Sequence, residues 1–96
     1  MIITEKQIAA GSQVEFQVAG GCGLGTLSAA KEHKIWGIGV DKDQSDQGDH
    51  ILTSGVKKVD VGIYNVVKAA QDGTFKGGSD LNFDLKNDGV GLGKVS

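Results

Sequence analysis

Proline and arginine are both absent from this chain, and Cys22 is its only cysteine. Without proline, no turn is locked near φ −65° and no helix interior is interrupted by a missing N–H. Without arginine, ten lysines face twelve acidic residues, giving a net charge of −2. That balance disfavours a nucleic-acid partner, because phosphate affinity needs a basic face and bidentate base readout leans on arginine. A single cysteine excludes an internal disulfide and a protein-only cysteine zinc site. No apolar run approaches the ~18 residues of a membrane span. Met1-Ile2-Ile3-Thr4-Glu5 lacks the basic start and apolar stretch of a secretory signal. If the chain works outside the cytoplasm, its export signal is expected on sequence other than this.

What is abundant is glycine, sixteen residues in 96, in a chain that is 39% hydrophobic and 23% charged. This is the composition of one globular domain in which close backbone approach matters. Glu5 to Ala10 reads as the end of a helix stopped at Gly11-Ser12. Val14-Glu15-Phe16-Gln17-Val18 alternates as a strand, glycines turn the chain at Gly20 to Gly25, and an amphipathic helix follows to about His33. Ile35 to Val40 is a continuous apolar run, the pattern of a strand covered on both faces. After a polar stretch from Asp41 to Asp49, Ile51-Leu52-Thr53-Ser54 offers a third strand. The three-to-four spacing of Val59, Ile63, Val66, Val67 and Ala70 predicts a helix over Val59 to Gln71. Leu81 to Leu85 alternates as a strand, and Asn87-Asp88-Gly89 before Val90-Gly91-Leu92 predicts a terminal hairpin. The sum is an α/β fold with a mostly parallel sheet.

Ligands of such sheets gather at the carboxyl ends of strands. The glycine turn is one candidate, since backbone N–H groups there can meet a polar ligand. A dinucleotide fingerprint fails by one residue: glycines at Gly21 and Gly23 place Thr26 where the third is needed. Asp41, twenty residues after Gly21, stands where a carboxylate can accept two bonds from vicinal ribose hydroxyls. Its alternatives are a solvated loop acid or a calcium loop with Asp43 and Asp46. The calcium register fails, because Asp46 occupies the glycine position and Leu52 the glutamate position. Lys57, in Thr53 to Asp60, can reach the same crevice or simply be solvated. Phe16 reads as core or as a ring at a pocket rim that stacks on a planar base. His33 and His50 read as surface or capping residues, and Cys22 as packing. No residue set supports bond-making chemistry, a metal or a cofactor.

Phe16 to Gly23, Trp36 to Gln44 and Leu52 to Asp60, taken in order, resemble the basic membrane protein family, the lipoprotein substrate-binding components of nucleoside ABC transporters. Tyr64, Phe75-Lys76-Gly77-Gly78 and Leu85 to Leu92 continue the resemblance. It implies the Rossmann-like C-terminal lobe of a type I periplasmic binding protein with a C-terminal β segment, in one α/β domain over residues 1–96. It also implies a purine nucleoside in the cleft between two lobes, an ABC permease as partner, and a lipid anchor at the cell surface or periplasm. By that resemblance Phe16 and Val18 line the base pocket, Gly20 or Gly21 contacts ligand through its backbone, Asp41 holds the ribose hydroxyls and Lys57 adds a polar contact. The family's N-terminal lobe and lipidated cysteine have no counterpart in these residues. Cys22 stands where the family usually has a small hydroxyl residue, and Gly55 replaces a bulkier apolar one. Exposed interlobe surface and sheet edge predict homo-oligomerisation. The alternatives are a small dinucleotide-binding module and a protein-interaction remnant of the same fold; Trp36 fluorescence is the expected reporter of adenosine or inosine against NAD.

Overall fold

A computed structural model describes residues 2–96 of the chain. Contacts divide it into two compact units, residues 1–56 with 92–96, and residues 57–91. The first unit opens with α1 (Ile2–Ala9), followed by β1 (Val14–Phe16), a short 3-10 turn (Gly20–Cys22), α2 (Gly23–Glu32) and β2 (Trp36–Asp41). After a second 3-10 turn (Ser45–Gln47) comes β3 (Ile51–Lys57), whose last residue begins the second unit, and β4 (Val90–Leu92) straddles the return boundary. The sheet order is β1-β2-β3-β4. The first three strands are parallel, with Phe16 opposite Ile38 and Asp41 opposite Val56. The terminal segment runs antiparallel to β3: Gly93 N–H donates to the Ser54 carbonyl at 2.8 Å and Ser96 N–H to the Leu52 carbonyl at 2.8 Å. The expected mostly parallel α/β sheet is therefore present.

Its two faces differ from the sequence reading. Residues paired in register share a face, so Glu15 lies with Gly37 while Phe16 lies with Ile38. Helix α2 seats on the Glu15 and Gly37 face: a Cβ at Gly37 would stand 3.0 Å from Leu27 Cδ2 and 3.3 Å from Ile51 Cδ1. Leu27 and Ile51 are buried there, and Ala29 and Ala30 of α2 are also buried. With Gly37 and Gly39 on the helix side, the apolar residues Trp36, Ile38 and Val40 all fall on the other face. That strand is thus not covered on both faces, since Trp36 is exposed and Ile38 and Val40 are half-buried. In β1 and the two residues after it the polar side chains are the buried ones: Glu15 is 8% and Gln17 3% exposed, against 55% for Phe16 and 71% for Val18. Phe16 is accordingly no core residue. Thr4 and Thr26 join α1 to α2 through a 3.0 Å hydroxyl bond.

The second unit is built on α3 (Val59–Asp72), with Asp60 in its first turn and Gly73 at φ 77° closing it, as the spacing predicts. The predicted strand over Leu81 to Leu85 does not form, and with it the predicted hairpin. Side chains there compete for the backbone: Asn87 Oδ1 accepts from Asp84 N–H at 2.8 Å, Asp84 Oδ1 accepts from Asn87 N–H at 3.2 Å, and Asn87 Nδ2 donates to the Asn82 carbonyl at 2.6 Å. Such local bonds replace a strand ladder. Val90–Leu92 instead takes its place beside β3 in the sheet order.

Candidate functional site

Because β1, β2 and β3 are parallel, their carboxyl ends share one edge of the sheet. Phe16 closes β1 and Asp41 closes β2, three residues and about 10 Å beyond Phe16's partner Ile38. Val18, Gly20 and Gly21 leave β1 on the same side, all exposed. Gly20 sits at φ 57°, and neither it nor Gly21 has any atom within 4 Å of a would-be Cβ, so the turn presents bare backbone. The Phe16 ring reaches across the face toward β3, where a Cβ on Gly55 would lie 3.9 Å from Phe16 Cζ. The structure thus gathers Phe16, Val18, Gly20, Gly21 and Asp41 along one edge. Lys57 follows Val56, the partner of Asp41, but belongs to the second unit, where it lines a groove with Val59, Ile63 and Phe83.

Asp41 has an unusual backbone. Its φ is 72°, and Lys42 N–H donates across it to the Val40 carbonyl at 2.9 Å, a γ-turn of the rare left-handed kind. A non-glycine residue in this region carries strain of order 1–3 kcal/mol and persists where its surroundings over-determine it.

Those surroundings are three buried polar side chains that the sequence reading did not single out: Gln17, Gln44 and Ser54, the last fully buried. Gln44 Oε1 accepts from Val40 N–H at 2.9 Å and from Gln17 Nε2 at 2.7 Å. Gln44 N–H donates to Ser54 Oγ at 3.0 Å, and Gln17 Oε1 accepts from Ala19 N–H at 3.2 Å. Both amide orientations are dictated, since each Oε1 must face a backbone donor. Glycines make the room: a Cβ on Gly39 would lie 2.5 Å from Ser54 Oγ and 2.7 Å from Gln44 Oε1, and one on Gly23 would lie 1.7 Å from Gln17 Oε1. No local pattern marks this cluster, because Gln17 and Gln44 lie in loops 27 residues apart.

Next to it, Asp43 Oδ1 accepts from Ser45 N–H at 3.0 Å and Oδ2 from Lys94 N–H at 3.3 Å. The Ser45 bond foremost holds the Asp43 carboxyl below its ordinary range. His50 is tied into the fold, its Nε2–H donating to the Leu27 carbonyl at 2.8 Å. Cys22 is exposed and free, so it is not a packing residue. Among the described residues no three His, Cys, Asp or Glu side chains cluster as metal ligands, and no helix is long and apolar enough to cross a membrane.

Three parallel strands ending on one edge, backed by a closely seated helix, place the chain in the class of open α/β folds whose ligands gather at strand ends. The chain belongs to the Bmp family, described as ABC transporter substrate-binding protein PnrA-like, which matches residues 3–96. It is 36% identical over 101 residues to the ABC transporter nucleoside-binding protein BmpA of Lactococcus lactis, a match covering 86% of this chain and 29% of that protein. Its fold superposes with a TM-score of 0.92 and 29% identity on a transcriptional activator of the comK gene from Bacillus halodurans, over 99% of this chain and 34% of that one. It superposes with a TM-score of 0.79 and 32% identity on an ABC transporter solute-binding protein from Aeropyrum pernix, over 97% of this chain and 26% of that one. The chain therefore spans about a third or less of the length of these relatives. The family is one of substrate-binding proteins rather than of enzymes.

Proposed function

We propose that the chain is part of the C-terminal lobe of an ABC transporter's substrate-binding protein, and that its strand-end edge forms half of a purine nucleoside cleft. In this reading Phe16 and Val18 pack on the base, the bare backbone of Gly20 and Gly21 meets polar ligand atoms, and Asp41 accepts the ribose hydroxyls. Lys57 supplies a further polar contact. The opposing lobe closes over the ligand, an ABC permease receives it, and the full-length protein is held at the cell surface by a lipid anchor. The observation that carries the proposal is an aromatic ring and two apolar-flanked loops held out into solvent at strand ends, where burial would be the ordinary fate of Phe16.

Ligand cavities bury ~70–90% of a small ligand, so one lobe alone is expected to bind weakly. Trp36 is a poor reporter, because it opens β2 about 16 Å from Asp41 at the strand's other end. Amide NMR of the labelled chain is the better test. Adenosine or inosine should move the Phe16, Val18, Gly20, Gly21 and Asp41 signals, and Asp41→Ala should weaken the response. No shifts at millimolar nucleoside, or an equal response to NAD, would refute the proposal. A second reading, that the lobe serves protein contact alone, draws on the Bacillus halodurans relative being a transcriptional activator; it predicts a stable oligomer without any nucleoside response.

A further inference from the structure

We infer that Gln44 is a positioning residue for ligand recognition: through Gln17 and Ser54 it locks the two ligand-facing loops, and it holds Asp41 in its strained turn. The inference rests on the nucleoside reading for what is recognised, but its geometry stands apart from it.

The ladder between β1 and β2 stops at Phe16 and Ile38. Beyond that point nothing in a regular sheet would fix the loop after β1 relative to the end of β2. The side chain of Gln44 fills this gap. One oxygen atom accepts from Val40 N–H, immediately before Asp41, and from Gln17 Nε2, whose own carbonyl accepts from Ala19 N–H, immediately before the glycine turn. Gln44's backbone N–H, bonded to Ser54 Oγ, anchors the same residue to β3. A continuous set of bonds therefore runs from the Gly20 turn to the Asp41 turn and is pinned to a third strand.

All three side chains are buried, with Gln44 7% and Ser54 0% exposed. Bonds at such sites are shielded from water, and loss of one partner leaves the other unsatisfied. Val40 N–H donates to Gln44 Oε1 at the point where the β1 ladder has already ended. Removing that acceptor takes away one of the bonds around Asp41, beside its pairing with Val56 and the Lys42-to-Val40 turn, and shifts the balance of a backbone strained at φ 72°.

The test pairs a ligand-free readout with a binding readout. Gln44→Met keeps the length and removes the acceptor. Gln44→Glu keeps an oxygen acceptor. Gln17→Met removes only the arm to the glycine turn, and serves if Gln44→Met fails to fold. In the free chain, amide exchange at Val40 should be slow in the wild type and accelerate about tenfold or more in Gln44→Met, with the Asp41 carbon shifts moving, while Leu27, Ala30 and Ile51 stay protected. In Gln17→Met the change should appear at Ala19 instead. Nucleoside affinity should fall roughly tenfold or more in Gln44→Met and recover in Gln44→Glu. In an Asp41→Ala background, Gln44→Met should cost less affinity than in the wild type, the remainder coming through the glycine turn, whereas a general destabiliser would cost the same in both. A folded Gln44→Met chain with unchanged Val40 exchange and unchanged Asp41 shifts overturns the inference, as does additivity of the two losses. If the wild type binds no nucleoside while Val40 and Asp41 respond as stated, the nucleoside reading fails and the positioning role stands.

Discussion

Replacing Gly39 by alanine tests the buried polar cluster with the smallest perturbation available, one methyl group. Built on the existing backbone, that methyl would stand 2.5 Å from Ser54 Oγ and 2.7 Å from both Cβ and Oε1 of Gln44. These atoms are not flexible side-chain ends: Ser54 Oγ holds the Gln44 N–H, and Gln44 Oε1 holds Val40 and Gln17. Overpacking of this kind costs about 1–3 kcal/mol, and each bond displaced adds about 1 kcal/mol. A total near 3 kcal/mol corresponds to a fall in Tm of roughly 12–24 °C for a domain of this size. Gly37→Ala provides the comparison, since its methyl meets the far ends of Leu27 and Ile51 at 3.0 and 3.3 Å, which can yield. Gly21→Ala provides the baseline, with nothing within 4 Å. Thermal unfolding followed by circular dichroism should rank the losses Gly39 above Gly37 above Gly21. A Gly39→Ala chain melting within a few degrees of wild type would refute the claim that the glutamine cluster is closely packed.

Further outcomes follow from other positions. Asp43 has a depressed carboxyl pKa, so the charged form is favoured by folding; its contribution is fully present above the unfolded pKa near 3.8 and is lost as pH falls through the lower folded value. An NMR titration should place the Asp43 midpoint below 3.8, and Asp43→Ala should flatten this part of the acid stability profile. Gly55→Ala should be tolerated within about 0.5 kcal/mol, because its methyl meets Phe16 Cζ at an ordinary 3.9 Å; a loss above ~1 kcal/mol on urea unfolding would contradict this. Gly73→Ala should destabilise by about 1 kcal/mol, since α3 ends on a residue at φ 77°, and the same urea measurement reads it.

Much of the element order is legible in the residues. The glycine stop after Val14 to Val18, the apolar run at Ile35 to Val40 and the three-to-four spacing from Val59 each produce an element where expected. The edge carrying Phe16, Gly20 and Asp41 follows from the parallel order. What local pattern does not carry is which face of β1 is buried. Alternation in Val14 to Val18 defines two faces, and hydropathy assigns the apolar one inward. The assignment reverses, and the buried side chain just after the strand, Gln17, bonds Gln44, 27 residues away, a pairing with no local trace. The missing strand at Leu81 to Leu85 fails for the opposite reason: its alternation is real, but Asn82, Asp84 and Asn87 satisfy the backbone within the segment.

The inverted strand has a consequence for anyone engineering this chain. Rotating β1 by one position would sink its ring and valines beneath the helix and lift both polar side chains into water, an outcome that hydropathy alone rewards. The amide contacts stand against that alternative. A change such as Gln17→Leu, attractive on any scale that prizes greasy interiors, would therefore remove one guard on which side of the strand stays dry.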